Sequence, residues 1–294
     1  MHTIRKNPMI MIVIGIIGIS LSSIFVKYSD APSAVTAAFR LLWTVLLMSP
    51  VTLGKHETRD EFRKLSSKNL LLSALRGVFL AIHFVTWFES LAHTTVASST
   101  TIVCTEVVWV SLGYCLFMKG RLSAKAILAI AVTLFGSVLV AYSDSMSGGG
   151  QLYGDMLALA AAVAVGIYTL LGRVVRRSAS TTVYTYLVYV VCAAVLVIIS
   201  FVQGYDLFAF GPSAVIVGLL LAVFSTILGH SIFSWCLKYF SPSFVSASKL
   251  CEPVVAAALA MVLLGEKPVL LQVIGGLIII GGVIYYGRLE KAGE

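Results

Sequence analysis

The sequence predicts an all-α integral membrane protein of ten transmembrane helices, built as two inverted-topology five-helix repeats. Three observations carry that expectation: apolar windows of membrane-spanning length, a one-sided distribution of lysine and arginine between them, and a correspondence between the two halves of the chain. Of the 294 residues, 59% are hydrophobic and 12% are charged, with a mean hydropathy of +0.98, whereas an ordinary soluble domain has about 25% charged residues. Polar residues gather in short stretches between long apolar runs. A bilayer demands this arrangement, because backbone that crosses it must satisfy its own hydrogen bonds.

Windows of roughly 17 to 25 apolar residues fall at about 8–26, 33–53, 70–91, 95–118, 122–142, 152–172, 181–202, 213–237, 243–264 and 268–287. The first follows a basic start (His2, Arg5, Lys6) that also describes a signal peptide, but its apolar run exceeds a signal core and no clear small-x-small cleavage site follows, so a retained helix is expected. The second and third windows are separated by the longest hydrophilic stretch, Lys55 to Lys68, a loop of mixed charge. Lys119, Arg121 and Lys125 follow the fourth window, Arg173, Arg176 and Arg177 the sixth, Lys238 the eighth, and Arg288 and Lys291 the tenth. With the N-terminus in the cytoplasm, sixteen of the 21 basic residues lie in inside segments and only Lys27 and Lys267 outside. That bias predicts a multi-pass protein with both termini cytoplasmic, in a cell membrane. It also accounts for the net charge of +8 without a nucleic-acid partner. The five cysteines, all within apolar runs and without CxxC spacing, read as small buried hydrophobes.

An offset of 146 residues aligns Lys27 with Arg173, Glu106 with Glu252, Arg121 with Lys267 and Gly136 with Gly282, while Trp87 and Trp235 align at 148. The expected units are 1–146 and 147–294. Because five is odd, equivalent helices cross in opposite directions, and inverted repeats of this kind place a binding site near the midplane, with access alternating as one half rocks against the other.

The stretch Tyr239 to Gly287, with its Glu252-Pro253 pair and Gly265-Glu266-Lys267 turn, resembles the last two helices of an EamA-type repeat of the drug/metabolite transporter superfamily. Gly154-Asp155 followed by MLALAAAVAVGIY to Tyr168 resembles the opening of the same repeat, and ALRGVFLAIHFVTWFESLAHTTVASST its third helix. The first half has Glu106-Val107 where the pattern often has a proline, which weakens the case for a helix break there. The resemblance implies movement of small organic solutes, commonly amino acids or other metabolites, often outward.

Ionisable side chains within spans cost at least about 2.5 to 3.5 kcal/mol by insertion scales and mark candidate sites. Glu106 and Glu252 occupy equivalent places in spans four and nine, and suit either proton coupling or binding of a substrate amine. The structural alternative is neutralisation by neighbours, and Lys249, three residues before Glu252 on the same face, is the expected partner. His83 and Trp87, four residues apart in span three, share a face and offer a polar ring beside an aromatic surface. Their counterparts His230 and Trp235 are five apart and do not share a face. Trp109 lies three residues after Glu106, and Tyr168 faces Ser22 by the repeat alignment. Both could wall a pocket for a cationic or aromatic solute or serve as packing and interfacial residues. Arg40, near the outer end of span two, and Arg76 could bind a carboxylate, with snorkelling to the interface the simpler account of Arg76. Glycines 15, 18, 136, 275, 276, 281 and 282 let helices approach, Pro253 loosens span nine, and Asp155 caps span six.

There is no P-loop and no HExxH or GxSxG motif, so neither ATP hydrolysis nor an enzyme is expected, and no cofactor or metal. The expected partners are a small-molecule solute, the lipid bilayer and, in the coupled case, protons. An uncoupled facilitator is the alternative, distinguished by whether a pH gradient changes flux; a lipid flippase, which would need a lateral opening and a long cavity, ranks below it.

Overall fold

The computed structural model describes residues 7–94, 96–145, 152–176, 179–264 and 270–292. Outside them lie His2, Arg5, Lys6, Arg177, the Gly265-Glu266-Lys267 turn and the expected boundary at 146/147. Among the described residues every regular element is helical. Seven of the ten expected crossings are single α-helices that follow the apolar windows closely; six of them are α1 (Pro8–Val26), α2 (Ser33–Leu53), α4 (Ser67–His93), α8 (Leu152–Val175), α9 (Thr181–Val202) and α14 (Leu270–Ala292). A short amphipathic helix, α3 (His56–Lys64), occupies the hydrophilic loop between α2 and α4.

Span four is divided into α5 (Val96–Cys104) and α6 (Glu106–Met118). The seventh, span five, is α7 (Ala124–Ser145). Span eight runs from α10 (Gly211–Leu220) through a π-helical stretch, Leu221–His230, into α11 (Ser231–Cys236). Span nine is α12 (Pro242–Ser248), a 3-10 turn at Lys249–Cys251, and α13 (Glu252–Leu264). Eight stretches among the described residues are long and apolar enough to cross a membrane; α7 and the interrupted span nine complete ten.

The helix starts are fixed by local polar chemistry. Asn7, Ser66, Ser180 and Ser241 each accept a backbone N–H from their own first turn, at 3.1, 3.3, 3.3 and 3.2 Å, and each such cap is worth about 1 kcal/mol. All four lie on one side, the face that also carries Lys55, Lys119, Arg173 and Lys238 and is called here the basic face. Around the exterior, large side chains including Leu46, Leu71, Leu128, Phe135 and Leu277 are exposed, more apolar surface than a water-soluble monomer leaves bare.

Inside, the buried apolar residues form two clusters, and neither follows the halves of the sequence. One joins α2 and α4 to α8, α9 and α10, through Leu41, Leu80, Phe84, Val165, Tyr184 and Leu221 among others. The second joins α1, α6 and α7 to α11, α12 and α14, through Ile16, Val107, Ile130, Phe233, Phe244 and Tyr286. Each cluster draws helices from both repeats, so the repeats interlock. Span eight passes from the first cluster to the second within its π-helical stretch.

Candidate functional site

Two helix breaks build the centre. In span four, Thr105 interrupts the helix without a proline: its Oγ1 donates to the Ile102 carbonyl at 2.6 Å and its N–H to the same oxygen at 3.0 Å. The Val108 N–H then reaches back to the Thr105 carbonyl at 2.9 Å. These three-residue closures tighten the chain as in a 3-10 turn. In span nine the 3-10 turn ends with the Glu252 N–H donating to the Lys249 carbonyl, and Pro253 follows. Thr105 and Cys251, like Glu106 and Glu252, are separated by the same 146 residues. The break expected from the proline in one repeat is therefore present in both, made by a threonine hydroxyl in the other. Each glutamate opens a half-helix, where free N–H groups and the helix dipole favour a negative charge.

Between these breaks lies a cavity of about 40 Å³, room for roughly three waters at 10–15 Å³ each. Ile19 and Ser22 of α1, Arg40 of α2, and His83 and Trp87 of α4 line one side; Val103, Glu106, Val165, His230, Lys249 and Glu252 complete it. Of the candidates read from the sequence, His83, Trp87, Glu106, Lys249 and Glu252 thus meet around one space, whereas Trp109 and Tyr168 do not line it.

Lys249 Nζ donates to Glu106 Oε1 at 2.8 Å, an ion pair with 9% and 4% of its side chains exposed that ties the second repeat to the first. The sequence expectation that Lys249 neutralises Glu252 is corrected. Lys before Glu is the less favourable order along a helix, and the facing break offers Glu106 across the cavity. The Glu252 carboxylate is in no ion pair among the described residues, although its backbone carbonyl accepts from Ser20 Oγ at 3.3 Å.

His83 places Nδ1 3.0 Å from the Ala161 carbonyl. A carbonyl only accepts, so that nitrogen carries the hydrogen and Nε2 is left as an acceptor. Its ring stacks on Trp87 at 5.8 Å and 14°, and His230 stands edge-on at 6.3 Å. Trp87 Nε1 is buried with no hydrogen-bond partner. His230, weaker than His83 on spacing alone, ends the π-helical stretch and lines the cavity. Trp235 instead packs against Tyr239, with ring centroids 4.4 Å apart and planes tilted by 46°, away from the cavity lining.

Arg40, which the sequence offered as a partner for a carboxylate, is 1% exposed and lines the cavity. Its Nε donates to Thr226 Oγ1 at 2.8 Å and its Nη1 to Ser22 Oγ at 3.2 Å, with the guanidinium 4.1 Å above the Phe84 ring. Arg76 does not snorkel: it is wholly buried, 3.9 Å above the Tyr168 ring and 4.9 Å from that of Tyr184. It donates to the Tyr168 carbonyl at 3.0 Å and to Ser234 Oγ at 2.8 Å. Tyr168 therefore belongs to this knot beneath His230, whose ring is 5.9 Å away, and does not pair with Ser22.

Trp109 is 38% exposed and outside the cavity lining, because the face of α6 that carries Glu106 inward turns Trp109 outward. Asp155 reaches across to the end of α4, accepting from Thr94 Oγ1 at 2.9 Å. Among the described residues no cluster of three or more His, Cys, Asp or Glu is arranged to hold a metal.

Two further hollows lie towards opposite ends of the bundle. One of about 360 Å³ on the basic face is lined by Arg121, Arg173, Tyr239, Ser241 and Glu290 among others. The other, of about 240 Å³ on the opposite face, has Ser33, Thr86, Glu89, Tyr153 and Tyr205.

An all-helical membrane fold of two interlocked inverted repeats, with broken helices framing a small cavity that holds buried charged side chains, is the architecture of solute carriers. The family comparison is consistent with that class and more specific: the model of the EamA-like transporter family matches residues 6–142 and again 152–288, and the chain belongs to that family. It is 24% identical over 296 residues to an uncharacterized transporter of Clostridium kluyveri, covering 95% of each chain. It is 23% identical over 281 residues to the uncharacterized transporter YxxF of Bacillus subtilis, covering 95% of this chain and 89% of that one. A solved crystal structure superposes with a TM-score of 0.79 at 15% identity, over 98% of this chain and 99% of the other, a likeness of fold. The protein is a multi-pass membrane transporter with a small-molecule substrate.

Proposed function

We propose a secondary transporter that exports small organic metabolites such as amino acids, with the central cavity opening alternately to each side of a cell membrane and the basic face cytoplasmic. The observation that carries this reading is the cavity itself. It is framed by one broken helix from each repeat, holds one carboxylate from each, and lies between hollows towards the two ends of the bundle. At about 40 Å³ the cavity is contracted compared with the ~300 Å³ or more of ordinary ligand pockets. A solute is admitted as the helices part, which is what alternation requires.

Discontinuous helices whose N-termini and unwound turns face the midplane are the usual means of holding solute and coupling ion in such carriers. Glu252, unpaired, and His83, with Nε2 free to accept, are the groups that take a proton in the coupled form of this reading. The units 1–146 and 147–294 are the proposed repeats.

The test is flux in proteoliposomes. A radiolabelled amino acid trapped inside is expected to leave faster with the protein than in protein-free vesicles, and a pH gradient is expected to change the rate. Flux without a pH effect points to the uncoupled facilitator, and flux of labelled phospholipid alone would replace the solute reading with a flippase.

A further inference from the structure

We infer that the central cavity recognises a zwitterion by its two poles, with Arg40 taking the carboxylate and Glu252 the ammonium. The inference rests on the transport reading above and specifies the charge pattern of the substrate. It follows from a charge census of the cavity. Lys249 and Glu106 satisfy one another at 2.8 Å. The two remaining charged residues of the lining are Arg40 and Glu252, and they do not satisfy each other: no ion pair joins them among the described residues.

Arg40 is held by neutral groups alone, the hydroxyls of Thr226 and Ser22 and the face of Phe84. Those bonds use two of the five donors of the guanidinium, and they fix its plane while leaving donors for a planar carboxylate. Glu252 has no side-chain hydrogen bond among the described residues; the only bond at that residue from another span is to its backbone carbonyl. Opposite charges in a small, low-dielectric space attract strongly, and these two line one cavity without forming an ion pair, so a molecule that enters meets a positive and a negative group. Trp87 adds a buried indole N–H without a partner, on α4 one turn from the Phe84 ring on which Arg40 rests, and His83 adds an acceptor at Nε2.

The complement of this arrangement is a small molecule bearing one carboxylate and one ammonium. A bare amine satisfies Glu252 and leaves Arg40 unpaired while adding a positive charge beside it. A bare acid does the reverse at Glu252. Each leaves one buried charge unmet, and a site built on paired polar contacts rejects analogues that lack one of them.

The experiment uses the full chain purified in detergent, with binding read as a rise in Tm and as Kd. The probes are each of the common amino acids, the carboxamide of each (amine only) and the N-acetyl derivative of each (acid only), with polyamines, nucleobases and dicarboxylates alongside. At least one amino acid is expected to bind, with its amide and its N-acetyl derivative each about tenfold weaker or more. Arg40→Gln is expected to abolish the preference for the amino acid over its amide, and Arg40→Lys to restore it in part. Comparison of the three charge classes on the unaltered protein stands even where a variant fails to fold. Equal binding of an amide or an N-acetyl derivative and its parent overturns the inference. So does binding confined to polyamines, nucleobases or dicarboxylates, which leaves the transport reading intact. If nothing in the panel binds and no flux is seen in vesicles, both fall together.

Discussion

Lys249 and Glu106 meet at 2.8 Å with almost no exposure, and neither is tolerable there alone. Removing one partner of such a pair leaves an uncompensated buried charge, at a cost of about 3–5 kcal/mol. Glu106→Gln or Lys249→Met alone is therefore expected to lower the Tm of the purified protein sharply. The double variant is expected to regain most of the loss, since neither charge is left behind. A double-variant loss equal to the sum of the two single losses would show that the two side chains stabilise the bundle independently of their pairing. The sequence flagged both residues because charge within a span is expensive, but it assigned Lys249 to the nearest carboxylate along the chain. The true partner lies 143 residues away, and only the facing of two helix breaks brings it close. Arg76 was misread for a related reason. Depth along the helix is legible in the sequence; the Tyr168 and Tyr184 rings and the Ser234 hydroxyl that replace interfacial water are contributed by other spans. Trp109 shows the reverse error, since nearness to Glu106 along the chain does not decide which face of α6 meets the core.

Helix limits were the most legible feature, because the apolar windows and the polar caps that bound them are local. Breaks within helices were legible only in part: Pro253 announces one, whereas a threonine does the same work at Thr105, and threonines are common elsewhere in these spans. The π-helical stretch Leu221–His230 leaves no signature in periodicity. The five-residue spacing of His230 and Trp235 begins at its end and runs through regular α-helix, and as that spacing implies His230 lines the cavity while Trp235 does not; which of the two faces inward was not legible. Close helix approach is borne out at Gly15, Gly18, Gly136 and Gly282 but not at Gly281, where a Cβ would meet nothing within 4 Å, and Gly18 shows how tight it is. A Cβ there would stand 2.7 Å from the Phe224 carbonyl oxygen and 3.0 Å from the Leu228 backbone. Backbone cannot rotate aside as a side chain can, so α1 would have to move away from the π-helical stretch. Gly18→Val is expected to cost about 1–3 kcal/mol, the usual range for overpacking, seen as a lower Tm. An unchanged Tm and unchanged transport would mean that α1 is not held against span eight as described.

At the scale of the molecule, the sequence repeat and the packing units do not coincide. Inverted repeats invite a picture in which one half of the chain rocks against the other, yet each apolar cluster contains helices of both halves. Separating residues 1–146 from 147–294 would tear both clusters. The seam that can open at lower cost runs between the clusters, passes through the cavity, and is crossed within a span by the π-helical stretch. The sequence could show that two copies of a unit exist, but which helices of one copy pack on which of the other depends on distant side-chain surfaces. Disulfides test the seam. Trp109 of α6 and Gly166 of α8 face one another across it, with a Cβ at Gly166 3.2 Å from that of Trp109, close to the 3.5–4.5 Å usual for a disulfide. Gly136 of α7 and Ile279 of α14 lie within one cluster, with a Cβ at Gly136 2.9 Å from Ile279 Cγ1. In a background without the five native cysteines, oxidised Trp109→Cys/Gly166→Cys is expected to lose transport about tenfold or more and to regain it on reduction, as locking a gating motion demands. Oxidised Gly136→Cys/Ile279→Cys is expected to retain most of its flux, because the helices it joins move as one body. Should the second disulfide arrest transport and the first leave it running, the moving unit would be a division other than these two clusters.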